Sequence, residues 1–117
     1  MAGRVEGKVA LVSGAATGIG ESIVHLLASE GARVAVADID ETRGGEVAAG
    51  IRKAGNEAIF IPLDVTNEES WKHCIESIET QFGCLNILVN NAGIAIVESV
   101  DKMLFEDWRA LMAVNAT

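Results

Sequence analysis

Three closely spaced glycines, Gly14, Gly18 and Gly20, form a G-x-x-x-G-x-G pattern near the start of the chain. They follow a short apolar run and precede a segment with helical periodicity, which indicates a strand-to-helix turn. A side chain at the first glycine would clash in the turn, and one at the second would keep a diphosphate away from the backbone. One at the third would push the helix off the sheet. Any flexible turn could use glycines, but this placement favours a dinucleotide site, because the helix N-terminus offers unpaired N–H groups.

A second candidate group is the carboxylate of Asp38, which ends the second apolar run. A carboxylate here can accept hydrogen bonds from both hydroxyls of an adenosine ribose, and it repels a 2′-phosphate. The alternative is that Asp38 is simply an acid at the start of the second helix. No basic residue is well placed to bind a 2′-phosphate. The turn residues 15–17 are uncharged, Ile39 follows the acid, and Arg43 lies a helical turn too late for an easy contact with such a phosphate. The sequence therefore favours NAD over NADP.

The elements that must position these groups alternate four times between short apolar runs and helical stretches. Apolar runs without strict alternation are typical of parallel strands that helices cover on both faces. The predicted strands are 9–12, 33–37, 58–61 and 85–89, and a fourth helix is predicted from about Leu104 to the end. We expect a doubly wound, Rossmann-type α/β sheet in the order 3-2-1-4, with helices on both faces and a crevice between strands 1 and 4.

The first three helices are predicted to bury apolar residues that recur at helical spacing. These residues are Ile19, Ile23, Leu26 and Leu27 in the first helix, Val47, Ile51 and Ala54 in the second, and Trp71, Ile75, Ile78 and Phe82 in the third. Thr66 and Glu69 have the form of a capping box before the third helix. Gly31, Gly55 and Gly83 follow the helices, where a left-handed closing residue is often needed.

The glycine spacing and several later motifs resemble the short-chain dehydrogenase/reductase family. Asp64 and Val65 follow the third strand, an Asn-Asn-Ala-Gly motif at 90–93 follows the fourth, and Asn115 lies in the predicted fourth helix. The resemblance covers the chain from Lys8 onward. It implies an NAD cofactor whose contacts are Gly14, Thr17, Gly18, Ile19, Gly20, Asp38, Ile39, Asp64, Val65, Asn90, Ala92 and Gly93.

The resemblance also implies individual roles for the later residues. Asp64 would accept a hydrogen bond from the adenine amino group, while the Val65 backbone donates to the ring. Asn90 would lie beside the adenosine, and Gly93 would let the chain pass close to the cofactor. An ordinary loop acid at Asp64 and a plain turn residue at Gly93 remain alternatives.

Asn115 is the candidate catalytic residue in this chain. It follows Trp108, Leu111 and Met112 at helical spacing, so it falls on the predicted buried stripe of the fourth helix. A buried amide without partners costs about 1–3 kcal/mol. By resemblance, this position helps to hold a water that links to a catalytic lysine; a purely structural amide is the alternative.

The family's mechanism uses a tyrosine as general acid and base, a lysine four residues later and a serine, all downstream of Asn115. This chain contains no tyrosine. We therefore expect residues 1–117 to be the N-terminal part of a single dinucleotide-binding domain, without the later catalytic part. The longer protein would be an NAD-dependent enzyme that interconverts a hydroxyl group and a ketone by hydride transfer, and this chain alone would be inactive. A non-catalytic nucleotide-binding or interaction module is the alternative.

Composition narrows the partners of the chain. Lys and Arg total 9 against 17 Asp and Glu, and the net charge of −8 argues against nucleic acid and anionic membranes. The N-terminus lacks the apolar stretch of a secretory signal, which favours a cytoplasmic location. The two cysteines lack metal-ligand spacing and are expected to be free thiols, and no metal site is expected.

The end of the fourth strand bears on assembly and on the substrate. By resemblance, a later strand that this chain does not contain would lie beside the fourth strand, so we expect an unpaired edge at 85–90. The isolated chain should then dimerise or aggregate, as a homo-oligomer, or else be a portion of a longer folded chain. The apolar residues 94–97 either line a substrate cleft or pack internally. By resemblance, the substrate is an alcohol or ketone, and specificity for it lies mainly in the later part of the family's sequence.

Overall fold

A computed structural model describes residues 5–90 and 93–96, and it contains five strands and three helices. The elements in chain order are β1 (Val9–Ser13), α1 (Gly18–Ser29), β2 (Arg33–Asp38), α2 (Glu41–Lys53), β3 (Ala58–Pro62), α3 (Glu68–Phe82), β4 (Ile87–Asn90) and β5 (Gly93–Ile96). The four strands and first three helices expected from the sequence are therefore present. The expected fourth helix lies outside the described residues.

The strands form a single sheet in the order β3-β2-β1-β4-β5. The pairs β1–β2, β2–β3 and β1–β4 are parallel, and Leu11 of β1 lies between Ala35 of β2 and Leu88 of β4. The expected order 3-2-1-4 is confirmed. Strand order reverses beside β1, which places the crevice of the fold between β1 and β4.

The expectation of an unpaired edge at 85–90 is wrong. β5 pairs antiparallel with β4, with Ile87 opposite Ile96 and Asn90 opposite Gly93. Two residues in the sequence separate these strands, and a two-residue connection is sufficient for an antiparallel pair. The chain itself thus supplies β4 with the neighbour that we had assigned to a later strand.

The sheet is buried on both faces, as the apolar runs predict. Side chains alternate across each strand, so Val9 and Leu11 of β1 join one apolar cluster while Ala10 and Val12 join another. The first cluster includes the buried face of α3, and the second includes the buried faces of α1 and α2. Helices therefore cover the two faces of the sheet.

The predicted buried face is confirmed for α3 and wrong in part for α1. Trp71, Ile75 and Ile78 are buried and Phe82 packs against them. In α1, however, Ile19 and Leu26 are 80% and 60% exposed, and the buried residues are instead Val24 and Ala28. These two residues follow Gly20 at four-residue intervals. The face of α1 that is turned inward therefore carries smaller side chains than the strongly apolar face that the pattern predicts.

The helix ends agree only in part with the sequence. The expected capping box at Thr66 is wrong by one residue, because the N-cap of α3 is Asn67, whose Oδ1 accepts a hydrogen bond from the Ser70 N–H at 2.9 Å. Ala54, expected on the buried face of α2, is its exposed C-cap. The three closing glycines are confirmed, since Gly31, Gly55 and Gly83 have φ values of 99°, 96° and 87°.

Candidate functional site

The candidate residues that the structure describes lie at one edge of the sheet. Gly14 follows β1, Asp38 ends β2, Asp64 follows β3 and Asn90 ends β4. Because these four strands are parallel, their carboxyl ends meet at this edge. In doubly wound sheets this is where ligands bind.

In the turn between β1 and α1, backbone packs so closely against backbone that a glycine is required. A Cβ atom on Gly20 would overlap the carbonyl oxygen of Gly14 and would lie 2.8 Å from its carbonyl carbon. The third glycine was expected to allow contact between helix and sheet, whereas the contact observed is with the turn itself. Gly18 has a φ of 63°, and nothing lies within 4 Å of the place where its Cβ would be. The space over the second glycine is thus open for a ligand.

The N-terminus of α1 faces the same edge of the sheet. Thr17 is its N-cap, in an extended conformation, and its side chain makes no capping hydrogen bond to any described residue. The first N–H groups of a helix have no partners within the helix, and they carry a partial positive charge. The turn therefore presents donors that suit an anion such as a diphosphate.

Asp38 joins the end of β2 to the glycine turn. Its Oδ2 accepts a hydrogen bond from the Ala16 N–H at 3.0 Å, and its Oδ1 accepts one from the Asp40 N–H at 2.9 Å. Each carboxylate oxygen can accept a further hydrogen bond. The N-cap of α2 is Asp40 and not Asp38, which removes the alternative of a helix-initiating acid.

Asp64 forms a compact turn after β3. Its Oδ1 accepts hydrogen bonds from the hydroxyl and the backbone N–H of Thr66, at 2.6 and 2.9 Å. The hydroxyl first, and the N–H second, hold the pKa of the Asp64 carboxyl below its usual value. Both contacts involve Oδ1, so the carboxylate keeps acceptor capacity at Oδ2 for a ligand.

Exposed apolar side chains are next in sequence to several of these candidate residues. Among the described residues, the large exposed hydrophobic residues are Ile19, Leu26, Ile39 and Val65. Three of these four, all except Leu26, are residues for which the family resemblance implies contact with the cofactor. Apolar groups left in water beside convergent polar groups are typical of a small-molecule site.

The candidates near β4 are described only in part. Asn90 ends β4 and pairs with Gly93, the first residue of β5. Asn91, Ala92 and Asn115 lie outside the described residues, as does Val97, the last of the apolar segment at 94–97.

One contact beside the site was not expected from the sequence. Arg43, thought to lie too far along α2, donates from Nη2 to both carboxylate oxygens of Glu21 in α1, at 2.8 and 2.9 Å. The two residues are 22 positions apart, and each is an ordinary helix residue. No sequence pattern would have shown this contact, because it depends on how α1 and α2 lie against the sheet.

The cysteines and acids give no sign of other chemistry in the described part. Cys74 is buried, which raises the pKa of its thiol to about 12, and Cys84 is a second free thiol. No group of three or more His, Cys, Asp or Glu residues within residues 5–90 and 93–96 could hold a metal ion. None of the described helices has the length and apolar character needed to cross a membrane.

The parallel strands β1 to β4, their order in the sheet and the glycine turn define the chain as a Rossmann-type α/β protein. A family model for short chain dehydrogenase matches residues 8–117. The chain belongs to the short-chain dehydrogenase/reductase family of oxidoreductases.

Three similar proteins illustrate the relationship. A 3-beta-hydroxysteroid dehydrogenase of Comamonas testosteroni is 40% identical over 98% of this chain and 44% of its own length. A 2,5-dichloro-2,5-cyclohexadiene-1,4-diol dehydrogenase of Sphingobium indicum is 42% identical over 100% of this chain and 47% of its own. The crystal structure of a family member from Burkholderia phymatum in complex with NAD matches with a TM-score of 0.71 and 31% identity, over 72% of this chain and 30% of that one. The chain spans about half the length of the first two relatives.

Proposed function

We propose that this chain is the NAD(H)-binding part of an oxidoreductase that interconverts a hydroxyl group and a ketone by hydride transfer. The observation that carries the proposal is the position of Asp38, whose carboxylate contacts the glycine turn at Ala16 N–H. A ribose bound over this turn would meet a carboxylate with unused acceptor capacity, whereas a 2′-phosphate would meet a negative charge.

The residues present fit a dinucleotide in three places. The turn between Gly14 and Gly20 is too crowded for a Cβ at its end and open above Gly18, which suits a diphosphate against the backbone. Asp38 would hold the ribose, and Asp64 with Val65 would hold the adenine. When bound, the nicotinamide supplies the carbon that accepts or donates the hydride.

The catalytic part of the proposal rests on family membership. Asn115 would help to hold a water linked to a catalytic lysine in the longer protein. The relatives named above are dehydrogenases of a hydroxysteroid and of a cyclic diol, which supports a small-molecule alcohol or ketone as substrate. The cytoplasmic location and the homo-oligomer expected from the sequence remain predictions.

Calorimetric titration of the protein with NAD and with NADP tests the proposal. NAD should bind, and NADP should bind at least roughly tenfold more weakly. A tenfold difference corresponds to about 1.4 kcal/mol, which repulsion of the 2′-phosphate or the loss of a hydrogen bond would supply. Asp38→Asn should narrow this difference, and Glu41→Gln is its matched control, because it removes one acid from the start of α2 without touching Asp38. Equal affinities of the unmodified chain for the two dinucleotides, or no binding of either, would contradict the proposal.

A further inference from the structure

The ion pair between Arg43 and Glu21 is connected to Asp38 through Asp40, whose backbone N–H donates to Asp38 Oδ1 at 2.9 Å. Arg43 is in the first turn of α2, where its backbone N–H donates to Asp40 Oδ1 at 3.0 Å. Its Nη2 contacts both oxygens of Glu21 in the first turn of α1, and its Nη1 lies 3.8 Å from Glu46 Oε1. Hydrogen bonds and ion pairs therefore hold both the backbone and the guanidinium of Arg43.

Two bridges join the same two segments of the chain. The Ala16–Asp38 hydrogen bond links the glycine turn to the end of β2, and the Glu21–Arg43 pair links the start of α1 to the start of α2. Both bridges connect residues 22 positions apart. Arg43 thus takes part in the contact between the same two segments as Asp38, and it lies a short distance farther along the chain.

Arg43 is the single basic residue in the segments 14–21 and 38–46. The acids in those segments are Glu21, Asp38, Asp40, Glu41 and Glu46. A guanidinium presents a planar fork of N–H donors that fits a carboxylate or a phosphate equally well. In this chain the fork is taken by Glu21, whose other basic neighbour is His25, 3.7 Å away.

The pair remains accessible to a ligand and to exchange with water. The side chain of Arg43 is 43% exposed and that of Glu21 is 27% exposed. A half-exposed ion pair of this kind can be broken without opening the core. The guanidinium of Arg43 can therefore reorient when its carboxylate partner is removed.

We propose that Glu21 is a positioning residue for cofactor specificity, which keeps Arg43 from serving a 2′-phosphate. Discrimination against NADP then rests on two acids: Asp38 repels the 2′-phosphate, and Glu21 occupies the cation that would otherwise bind it. This inference rests on the proposed nucleotide function.

The test uses two probes that carry only the adenosine half of the cofactors, ADP-ribose and 2′-phospho-ADP-ribose. Their dissociation constants are measured by calorimetry for the full 117-residue chain, and the ratio of the two is the readout. Glu21→Gln should shift this ratio roughly tenfold towards 2′-phospho-ADP-ribose, because one charge-assisted hydrogen bond to phosphate becomes available. The gain should diminish at high salt.

Two control variants separate this effect from a general change in charge. Glu41→Gln removes a nearby acid that does not pair with Arg43, and it should shift the ratio much less. The double variant Glu21→Gln with Arg43→Gln removes both charges of the pair, and it should return the ratio to that of the unmodified chain. Circular dichroism verifies that each variant is folded.

Each outcome has a distinct meaning. If ADP-ribose does not bind to the unmodified chain, the proposed function fails. If ADP-ribose binds but Glu21→Gln shifts the ratio no more than Glu41→Gln, the role of Glu21 is refuted. A double variant that binds 2′-phospho-ADP-ribose roughly tenfold more weakly than the unmodified chain would also refute it, because Arg43 would then already serve the phosphate. This last comparison holds even if the single Glu21 variant fails to fold.

Discussion

The Ala16 N–H donates a hydrogen bond of 3.0 Å to Asp38 Oδ2, so the acid at the end of β2 also braces the glycine turn after β1. One carboxylate therefore has two roles. It fixes the backbone over which the diphosphate would lie, and it keeps acceptor capacity for the ribose. Substitutions at Asp38 can separate the two.

Asp38→Ala and Asp38→Asn should both narrow the preference for NAD over NADP, because both remove the negative charge. They should differ in stability. The alanine removes the acceptor of the Ala16 N–H, which costs about 1–2 kcal/mol in the free energy of unfolding. Asparagine keeps an oxygen acceptor and should lose less. Titrations with NAD and NADP, together with urea unfolding curves, measure the two effects. Equal unfolding free energies for the two variants would argue against the bracing role.

Gly20→Ala should weaken dinucleotide binding and destabilise the fold. The new Cβ would overlap the carbonyl of Gly14, and the turn must shift to relieve the clash. Overpacking of this kind costs about 1–3 kcal/mol. Gly45→Ala is the matched control, because nothing lies within 4 Å of its Cβ position. Thermal melts and NAD titrations should show a loss for the first variant only; an unchanged melt for Gly20→Ala would contradict the packing argument.

The positions of the glycine turn, Asp38 and Asp64 could be predicted because each follows directly from a short apolar strand. The sheet order also followed from the alternation of strands and helices. The inward face of α1 was predicted only in part from hydrophobicity, since Ile23 and Leu27 are partly buried against the core. The fully buried residues of the helix are the smaller Val24 and Ala28. The sequence pattern instead favoured the larger apolar residues, and Ile19 among them is exposed beside the site.

The partner that each residue chooses was not predictable in the same way. β5 has four residues, too few for a reliable alternation pattern, and its pairing with β4 depends on the chain reversing after Asn90. The Glu21–Arg43 pair depends on the packing of two helices against a common sheet. At the start of α3, Thr66 has the residue type of an N-cap, yet it bonds to Asp64 and leaves that role to Asn67.

Thr66→Val should raise the pKa of the Asp64 carboxyl towards its usual value. The Thr66 hydroxyl is the largest cause of the lowered pKa, and valine has the same shape without the donor. A carboxyl with a lowered folded-state pKa stabilises the fold above its unfolded pKa, and this contribution is lost as pH falls through the folded value. Carbon-detected NMR titration of Asp64 across the acidic range measures the change. Ser70, whose hydroxyl accepts from the Asp64 N–H, offers a control, because Ser70→Ala leaves the Thr66 contacts to the carboxylate in place.

The 117-residue chain should not oxidise alcohols or reduce ketones with NAD or NADH above background. It contains no tyrosine to act as the proton donor that the family resemblance implies, and a positioned proton donor contributes about 10²–10⁴-fold to rate. Absorbance at the reduced-nicotinamide band, followed with a panel of cyclic alcohols and ketones, is the measurement. Turnover that persists after removal of contaminating dehydrogenases would contradict the expectation. NAD binding without turnover would agree both with a cofactor-binding part of an enzyme and with the non-catalytic module.

Gly44 and Gly50 lie in the same helix and should respond to alanine in opposite directions. A Cβ on Gly44 would overlap the Phe60 ring of β3, with Phe60 Cδ1 at 2.6 Å, whereas nothing lies within 4 Å of the corresponding position on Gly50. Alanine has a higher helix propensity than glycine, so Gly50→Ala should stabilise the chain by about 0.5–1 kcal/mol. Gly44→Ala gains the same propensity but must displace the ring of Phe60, which packs against the cluster that includes the buried face of α2, for a net loss of about 1–2 kcal/mol.

Urea unfolding of the two variants measures both changes. The variant Gly44→Ala with Phe60→Leu provides the decisive control, since a smaller side chain in β3 leaves room for the new methyl group. In the background of Phe60→Leu, alanine at position 44 should cost less than it does beside the native Phe60, and it should become stabilising if the space suffices. A cost that is the same in both backgrounds would show that the helix backbone, rather than contact with the ring, requires glycine at position 44.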